Sequence, residues 1–545
     1  MLLSVNNITI AFKSKKVVEN LSFSVDRGQS LGIVGESGSG KSATALAIMG
    51  LLPPTGRVTE GTIELDGTDL LTLLRNQENY RGRKIGMIFQ EPMSSLNPLF
   101  TCGYQIKETV LQHQAVTARQ AEAQLTSLLE EVQLTRQLGE RYPHQLSGGQ
   151  LQRMMIAIAL AGNPDLLIAD EPTTALDVTV QAAILELLNK LRRSRNMALI
   201  FISHDLSVVR QVSDHLVVMY RGRCVESSSV AEVFSHPRHP YTRGLLACRP
   251  RPHLRLLYLP TVKDYMEERP DGTIVEKMPD NPLLGATRGS YSPSQFDPLL
   301  KVENLTVSYQ NQINVLHSVS FEVFPGETLG IVGESGSGKT TIARTIVGLL
   351  PLKSGKIYFQ NYLLGKARPR SVTRQIQMIF QDPQGSLNPR MTIGEALMEP
   401  LHIHRLYSSR SERRQAVIDL LTKVGLEPDI LSFYPYAFSG GQKQRISIAR
   451  ALIVRPSLVI ADEAVSALDV SVQAQVLNLL KSLQQQFNLT YLFISHDLAV
   501  VKFMSDRILV MYRGKIEEQG IADQIYQQPQ SEYTKQLIQS IPQYV

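Results

Sequence analysis

A chain of 545 residues, 43% hydrophobic and 19% charged, has enough apolar mass for at least two domains, each with its own core. Its formal net charge of +6 suits anionic partners in general and selects none of them. The longest apolar run, Met154–Ala161, falls far short of the ~18–20 residues that span a bilayer, the N-terminus has no basic-then-apolar leader, and three widely spaced cysteines (Cys102, Cys224, Cys248) argue against a disulfide framework, a close-set zinc site and a four-thiolate cluster.

In chain order, LGIVG at Leu31–Gly35 is a short apolar run of the kind buried on both faces of a parallel sheet. A glycine-rich turn follows, then SATALAIMGLL, which reads as a helix. The turn, Gly35-Glu36-Ser37-Gly38-Ser39-Gly40-Lys41-Ser42, fits G-x-x-x-x-G-K-[ST] in the strand–loop–helix context that a phosphate loop requires. Its glycines let backbone N–H groups point inward around a phosphate, and the helix offers its positive N-terminus. Lys41 is expected to reach the β- and γ-phosphates, and Ser42 to ligate Mg²⁺. Further on, Ser147-Gly148-Gly149-Gln150 opens an amphipathic helix and forms a second anion-binding element, with a hydroxyl, bare N–H groups and a helix dipole. Two phosphate cradles in one domain imply that the second serves another domain's nucleotide. The strand DLLIAD then ends in Asp170 and Glu171: the aspartate is expected to hold Mg²⁺ through water, the glutamate to orient or deprotonate the attacking water. ALIFIS is the next strand, and His204 at its end is placed for a γ-phosphate contact.

From about Arg251 to Leu300 the pattern fades into a segment with several prolines and an Asp271-Gly272 turn signal, read as a loop-rich connector packed partly on the first domain. Then everything recurs. Leu329–Lys339 repeats Leu31–Lys41 letter for letter, giving a second phosphate loop, Gly333-Glu334-Ser335-Gly336-Ser337-Gly338-Lys339-Thr340. Ser439-Gly440-Gly441-Gln442, Asp462-Glu463 and His496 follow. The interval from Ser147 to Glu171 equals that from Ser439 to Glu463, and Glu171–His204 equals Glu463–His496. The stretch from Lys41 to Gln90 exceeds that from Lys339 to Gln381, so the first half carries a longer surface loop there. Two homologous domains, 1–250 and 299–545, flank a 251–298 connector.

These motifs together resemble the ATPase of ATP-binding cassette (ABC) transporters, with two nucleotide-binding domains fused in one chain. The resemblance covers nearly everything outside the connector. It implies an α/β fold: two tandem P-loop NTPase domains, each with a mixed or parallel sheet core, an antiparallel β subdomain and a helical subdomain carrying the SGGQ signature. Gln90 and Gln381 match the family's Q-loop glutamine, which joins the metal and the catalytic set. Ala175-Leu176-Asp177 and Ala467-Leu468-Asp469 match its D-loop, and His204 and His496 its switch histidine. Phe12 and Tyr309 stand where the family stacks an aromatic ring on adenine. The family geometry is head to tail: Lys41, Asp170, Glu171 and His204 are expected to work with Ser439, and Lys339, Asp462, Glu463 and His496 with Ser147. Pro172 is replaced by Ala464 in the second half, which removes no reactive group, so both sites are expected to hydrolyse ATP.

Ser-Leu-Asn-Pro at Ser95–Pro98 and Ser386–Pro389, with HPRHPYTRGLLA at His236–Ala247 and its degenerate copy around Tyr533, resembles the oligopeptide/dipeptide/nickel importer subfamily. The implied protein is peripheral, on the cytoplasmic side of a bacterial plasma membrane. It couples ATP to two separate permease subunits fed by an extracytoplasmic solute-binding protein. Tandem ABC ATPases that act on ribosomes or nucleic acid are the competing class. The connector, with six Lys/Arg against seven Asp/Glu and several prolines, lacks the basic helical arm of the ribosomal type. Nucleic acid is not expected as a partner.

Overall fold

The computed structural model describes residues 1–75, 80–174, 176–251, 254, 256–269, 272–278, 283–286, 297–309 and 313–541. Part of the longer loop expected between Lys41 and Gln90 falls at 76–79, outside the described residues.

The two halves repeat one architecture. In the first, Ser30–Val34 lies inside a six-stranded sheet whose order is Arg223–Ser229, His215–Tyr220, Ser30–Val34, Ala198–Ser203, Leu166–Asp170, Ile85–Ile88. All neighbours run parallel except the edge hairpin of the first two strands. Every residue of Ser30–Val34, Leu166–Asp170 and Ala198–Ser203 is buried, which explains their unbroken apolar runs: a parallel sheet with both faces covered has no polar side to alternate with. The second half repeats the order with Lys515–Ile521, Arg507–Tyr512, Thr328–Val332, Thr490–Ile494, Leu458–Asp462 and Ile376–Ile379.

Each half adds an antiparallel sheet, Lys15–Val25 beside Leu3–Phe12 beside Gly56–Leu65 in the first and Ile313–Val323, Leu300–Tyr309, Ser354–Phe359 in the second. Each also adds a helical layer: Cys102–His113, Ala118–Glu131 and the signature helix Gly148–Leu160, against Ile393–Ile403, Arg410–Lys423 and Gly440–Leu452. The sequence-based architecture is thus present twice, with the signature on the helical layer.

The connector contains a two-stranded hairpin, Met266–Glu268 against Ile274–Glu276, around the expected turn; Asp271 itself lies outside the described residues. It touches both halves. Glu268 accepts a hydrogen bond from the Tyr220 hydroxyl (2.9 Å), and the Asn478 side chain makes a two-way amide contact with Leu259, at 2.9 Å and 2.8 Å. Leu256, Leu259, Val262 and Met266 join one apolar cluster that continues from the first half into the second. Among the described residues, no helix is long and apolar enough to cross a membrane.

Candidate functional site: two nucleotide cradles

The phosphate loops are shaped by backbone demands. Gly40 and Gly338, the N-caps of their helices, sit at φ of 99° and 104°, in the left-handed region. A Cβ there would lie 2.7 Å from Val18 Cγ2 or 2.5 Å from Leu316 Cδ2, so glycine is required on two counts. Lys41 Nζ is folded back into its own loop, donating to the carbonyls of Gly35 (2.8 Å) and Glu36 (2.9 Å); Lys339 does the same with Gly333 (2.7 Å) and Glu334 (2.8 Å). Burial pulls both ammonium groups below their ordinary pKa, against the pull of the carboxylates beside them.

At the strand exits the two halves pair the same residues. Ser42 Oγ donates to Asp170 Oδ1 at 3.1 Å and Thr340 Oγ1 to Asp462 Oδ1 at 3.0 Å. Burial raises both aspartates, Asp462 to about 6. These paired oxygens, next to the phosphate loop, are the donor type a hard divalent cation takes. Gln90 Nε2 donates to Glu171 and Gln381 Nε2 to Glu463, each at 2.9 Å. His204 Nδ1 stands 3.4 Å from Glu171, and His496 Nδ1 3.4 Å from Glu463. Burial works against both charges in each pair. The mutual hydrogen bond and the charge attraction together outweigh it, holding the glutamates below and the histidines above their ordinary pKa. Glu171 and Glu463 both adopt φ of 47°, rare for a side chain of this size; their N–H groups are pinned to Ile202 O (3.0 Å) and Ile494 O (2.9 Å) of the neighbouring strand.

Ser147 and Ser439 are N-caps of the signature helices. Each hydroxyl accepts from the N–H of Gln150 or Gln442 at 3.4 Å, and the glutamine side chain accepts back from the serine N–H. Both serines are solvent-exposed, with Gly148 and Gly440 beside them. Gly149 and Gly441 let the segment lie against its own D-loop helix: a Cβ would come within 2.7 Å of Val180 or 2.5 Å of Val472.

Those D-loop helices meet the opposite half. Ser37 N–H donates to Asp469 Oδ2 at 2.8 Å, and Ser471 donates to the Glu36 carboxylate. In the reciprocal place Thr179 Oγ1 donates to Glu334 Oε1 at 3.1 Å. Asp177 accepts at home from Val180 N–H (2.9 Å) and shares the single Thr179 hydroxyl proton (2.8 Å) with Glu334. Ala175 lies outside the described residues. A cavity of about 710 Å³ contains Ser335, Gly336, Lys339, Thr340, Gln381, Glu463 and His496, together with Thr174 and Asp177 from the first half. Among the described residues lining it, none belongs to the Ser147–Gln150 signature. Phe12 is half-buried, its ring edge against Gly56; the side chain of Tyr309 lies outside the described residues.

Two contributors were not legible in the spacing of the motifs. The Tyr241 hydroxyl accepts the backbone N–H of Glu36 at 3.0 Å, and the Tyr533 hydroxyl that of Glu334 at 3.1 Å. The tyrosine of each HPY-like segment therefore braces a phosphate loop. Those partners stand 205 and 199 positions apart in sequence, beyond any local pattern.

Comparison with known proteins identifies the family. The family described as "ABC transporter" matches residues 18–174 and 316–466, and "Oligopeptide/dipeptide transporter, C-terminal region" matches 225–272 and 518–545. The glutathione import ATP-binding protein GsiA of Pectobacterium atrosepticum is 44% identical over 99% of this chain and 89% of its own; that of Escherichia coli K12 is 43% identical with the same coverage. Among solved structures, a dimeric ATP-binding cassette in a post-hydrolysis state, bound to ADP and phosphate, is 31% identical over 41% of this chain and 98% of its own, with a TM-score of 0.38. The chain belongs to the ABC transporter family, as a polypeptide with two ATP-hydrolysing cassettes.

Proposed function

We propose that this protein is the energy-coupling subunit of an importer for glutathione, short peptides or chemically related small solutes. It docks at the cytoplasmic face on two membrane permease subunits, which an extracytoplasmic binding protein supplies with solute. The solute class rests on the 44%-identical relative named for glutathione import and on the two matched oligopeptide/dipeptide transporter regions. The observation that carries the coupling mechanism is reciprocal docking: each phosphate loop is contacted by the D-loop helix of the other half.

ATP entering a cradle draws Lys41 or Lys339 off its own carbonyls and onto phosphate oxygens. Ser42 with Asp170, and Thr340 with Asp462, would hold Mg²⁺, which would supply neutralisation of phosphate charge. Glu171 and Glu463, kept ionised by their histidines, accept a hydrogen bond from the attacking water and orient it in line with the γ-phosphate. His204 and His496, whose pKa the same pairing raises, turn to the γ-phosphate as its charge develops. Gln90 and Gln381 report occupancy to the helical layer. Ser439 closes the Lys41 site and Ser147 the Lys339 site, because each signature rides on the D-loop helix already docked there. Phe12 and Tyr309 stack on the adenines.

The test is the double variant Glu171→Gln/Glu463→Gln. It retains ATP binding, loses at least about a hundredfold in turnover, and stays closed around nucleotide. Purified from membranes in that state, it carries two integral membrane subunits with it. Normal turnover would refute the catalytic roles, and recovery with ribosomes or nucleic acid would refute the importer reading.

A further inference from the structure

Where the two halves meet, a small cavity of about 100 Å³ is lined by His204 and Asp205 of the first half and by His496 and Asp497 of the second. Each aspartate immediately follows the histidine that contacts a glutamate. Each also caps a helix: Asp205 accepts Ser207 N–H at 2.9 Å, and Asp497 accepts Ala499 N–H at 2.8 Å and Val500 N–H at 3.3 Å. Two carboxylates in a confined space need a cation, and one guanidinium lines the same cavity. Arg249 Nη1 donates to Asp205 Oδ2 and to Ser207 Oγ, while Nη2 lies 3.7 Å from Asp497 Oδ2. The arginine side chain is 12% exposed and the two aspartates 18% and 20%. Burial pushes the Asp205 carboxyl up; Arg249 and Ser207 bring it below its ordinary value.

The repeat has no second copy of this cation. Aligning HPYTRGLLACRP with SEYTKQLIQSIP puts Arg249 opposite Ile541, which is buried among apolar neighbours. One arginine from the first half therefore serves both histidine loops.

We infer that Arg249 is a positioning residue that couples the two ATP sites by tying the His204 and His496 loops to one another. Its grip is unequal. Asp205 and Ser207, within its own half, are held by hydrogen bonds, whereas Asp497 is held across the interface by charge at longer range. Separation of the halves breaks the Asp497 contact first and releases His496 while His204 stays braced. The sites are alike in catalytic groups and unlike in their control.

The inference rests on Glu171 and Glu463 acting on the attacking water, so Glu171→Gln/Glu463→Gln is assayed alongside. The experiment is steady-state ATP hydrolysis by the full chain, with thermal unfolding of each variant. Arg249→Ile installs the residue of the other half. Asp497→Asn keeps a good helix cap and removes only the charge, so it tests the link even if Arg249→Ile folds poorly. Both variants lower the Hill coefficient for ATP from about 2 toward about 1 and reduce kcat about five- to tenfold, with KM changed less. Arg249→Lys restores part of the effect, and Arg249→Ile/Asp497→Asn is no worse than Arg249→Ile alone. An unchanged Hill coefficient in Asp497→Asn, or additive losses in the double variant, would overturn the coupling role. If the glutamine double variant still turns over, the catalytic assignment fails instead.

Discussion

At the scale of single residues, the hydroxyl of Tyr241 is a test of how tightly the phosphate loop must be held. The ring is fully buried and packs 4.6 Å from that of Tyr220. Removing its oxygen leaves the Glu36 N–H without its acceptor, a loss of about 1–3 kcal/mol when buried. Tyr241→Phe is expected to lower the unfolding temperature by about 2–4 °C for each kcal/mol, and to weaken nucleotide binding at the Lys41 site more than at the Lys339 site. Calorimetry and site-resolved nucleotide labelling measure the two effects; equal weakening at both sites would remove the tyrosine from the loop's support. The glutamates show a different residue-scale device. At φ of 47° the backbone of Glu171 and Glu463 holds a conformation costing about 1 kcal/mol or more, fixed by a ladder bond to the next strand. The carboxylate is thereby aimed by the sheet.

At the scale of elements, helix termini carry much of the site. The helix Pro240–Ala247 begins at His239, whose Nδ1 accepts Tyr241 N–H at 3.2 Å. That bond requires the neutral ring. Burial holds His239 below its ordinary pKa, with Glu226 pulling it up and Arg243 pushing it further down. The unfolded chain thus takes the proton first as pH falls. The contribution of this cap is complete above about pH 6.5, the unperturbed value, and is lost as pH falls below it toward the folded value. His239→Asn keeps an acceptor that does not titrate in this range, so its unfolding temperature should fall less between pH 7.5 and 5.5 than the wild type's. Parallel slopes for the two proteins would mean that the cap does not titrate. His239→Ala should cost about 1 kcal/mol at pH 7.5, read by denaturant unfolding.

The elements also show what a sequence can and cannot carry. Leu166–Asp170 and Ala198–Ser203 are readable because a strand covered on both faces must be apolar throughout, and the phosphate loop is readable because glycine, lysine and hydroxyl are needed at fixed steps. Ser147 is legible as an anion-binding position, yet its capping box with Gln150 means that the same atoms also start a helix. Local spacing cannot separate two uses that share one geometry. The roles of Arg249 and Tyr241 are silent in the sequence for another reason: their partners lie on other elements, brought close only by the sheet and by docking of the halves.

For the whole molecule, fusion makes the two halves permanent partners at high local concentration. The cross-half pairing has a direct test. Ser439→Arg places a long cation on the signature helix whose D-loop docks on Glu36 and Ser37, so nucleotide trapping should fail at the Lys41 site and persist at the Lys339 site. Equal damage at both would break the pairing.

The connector's hold on Asn478 has a mechanical consequence. The helix Val470–Phe487 begins at the D-loop contact with Ser37, and the connector grips it again at Asn478, about 14 Å further along its axis. A lever clamped at two points along one arm turns about that arm. Opening should therefore swing the Lys339 cradle through the wider arc while the Lys41 cradle stays near the pivot. Spectroscopic distances across the two cradles would show one gap widening more than the other, and the permease above would receive torque instead of a symmetrical pull.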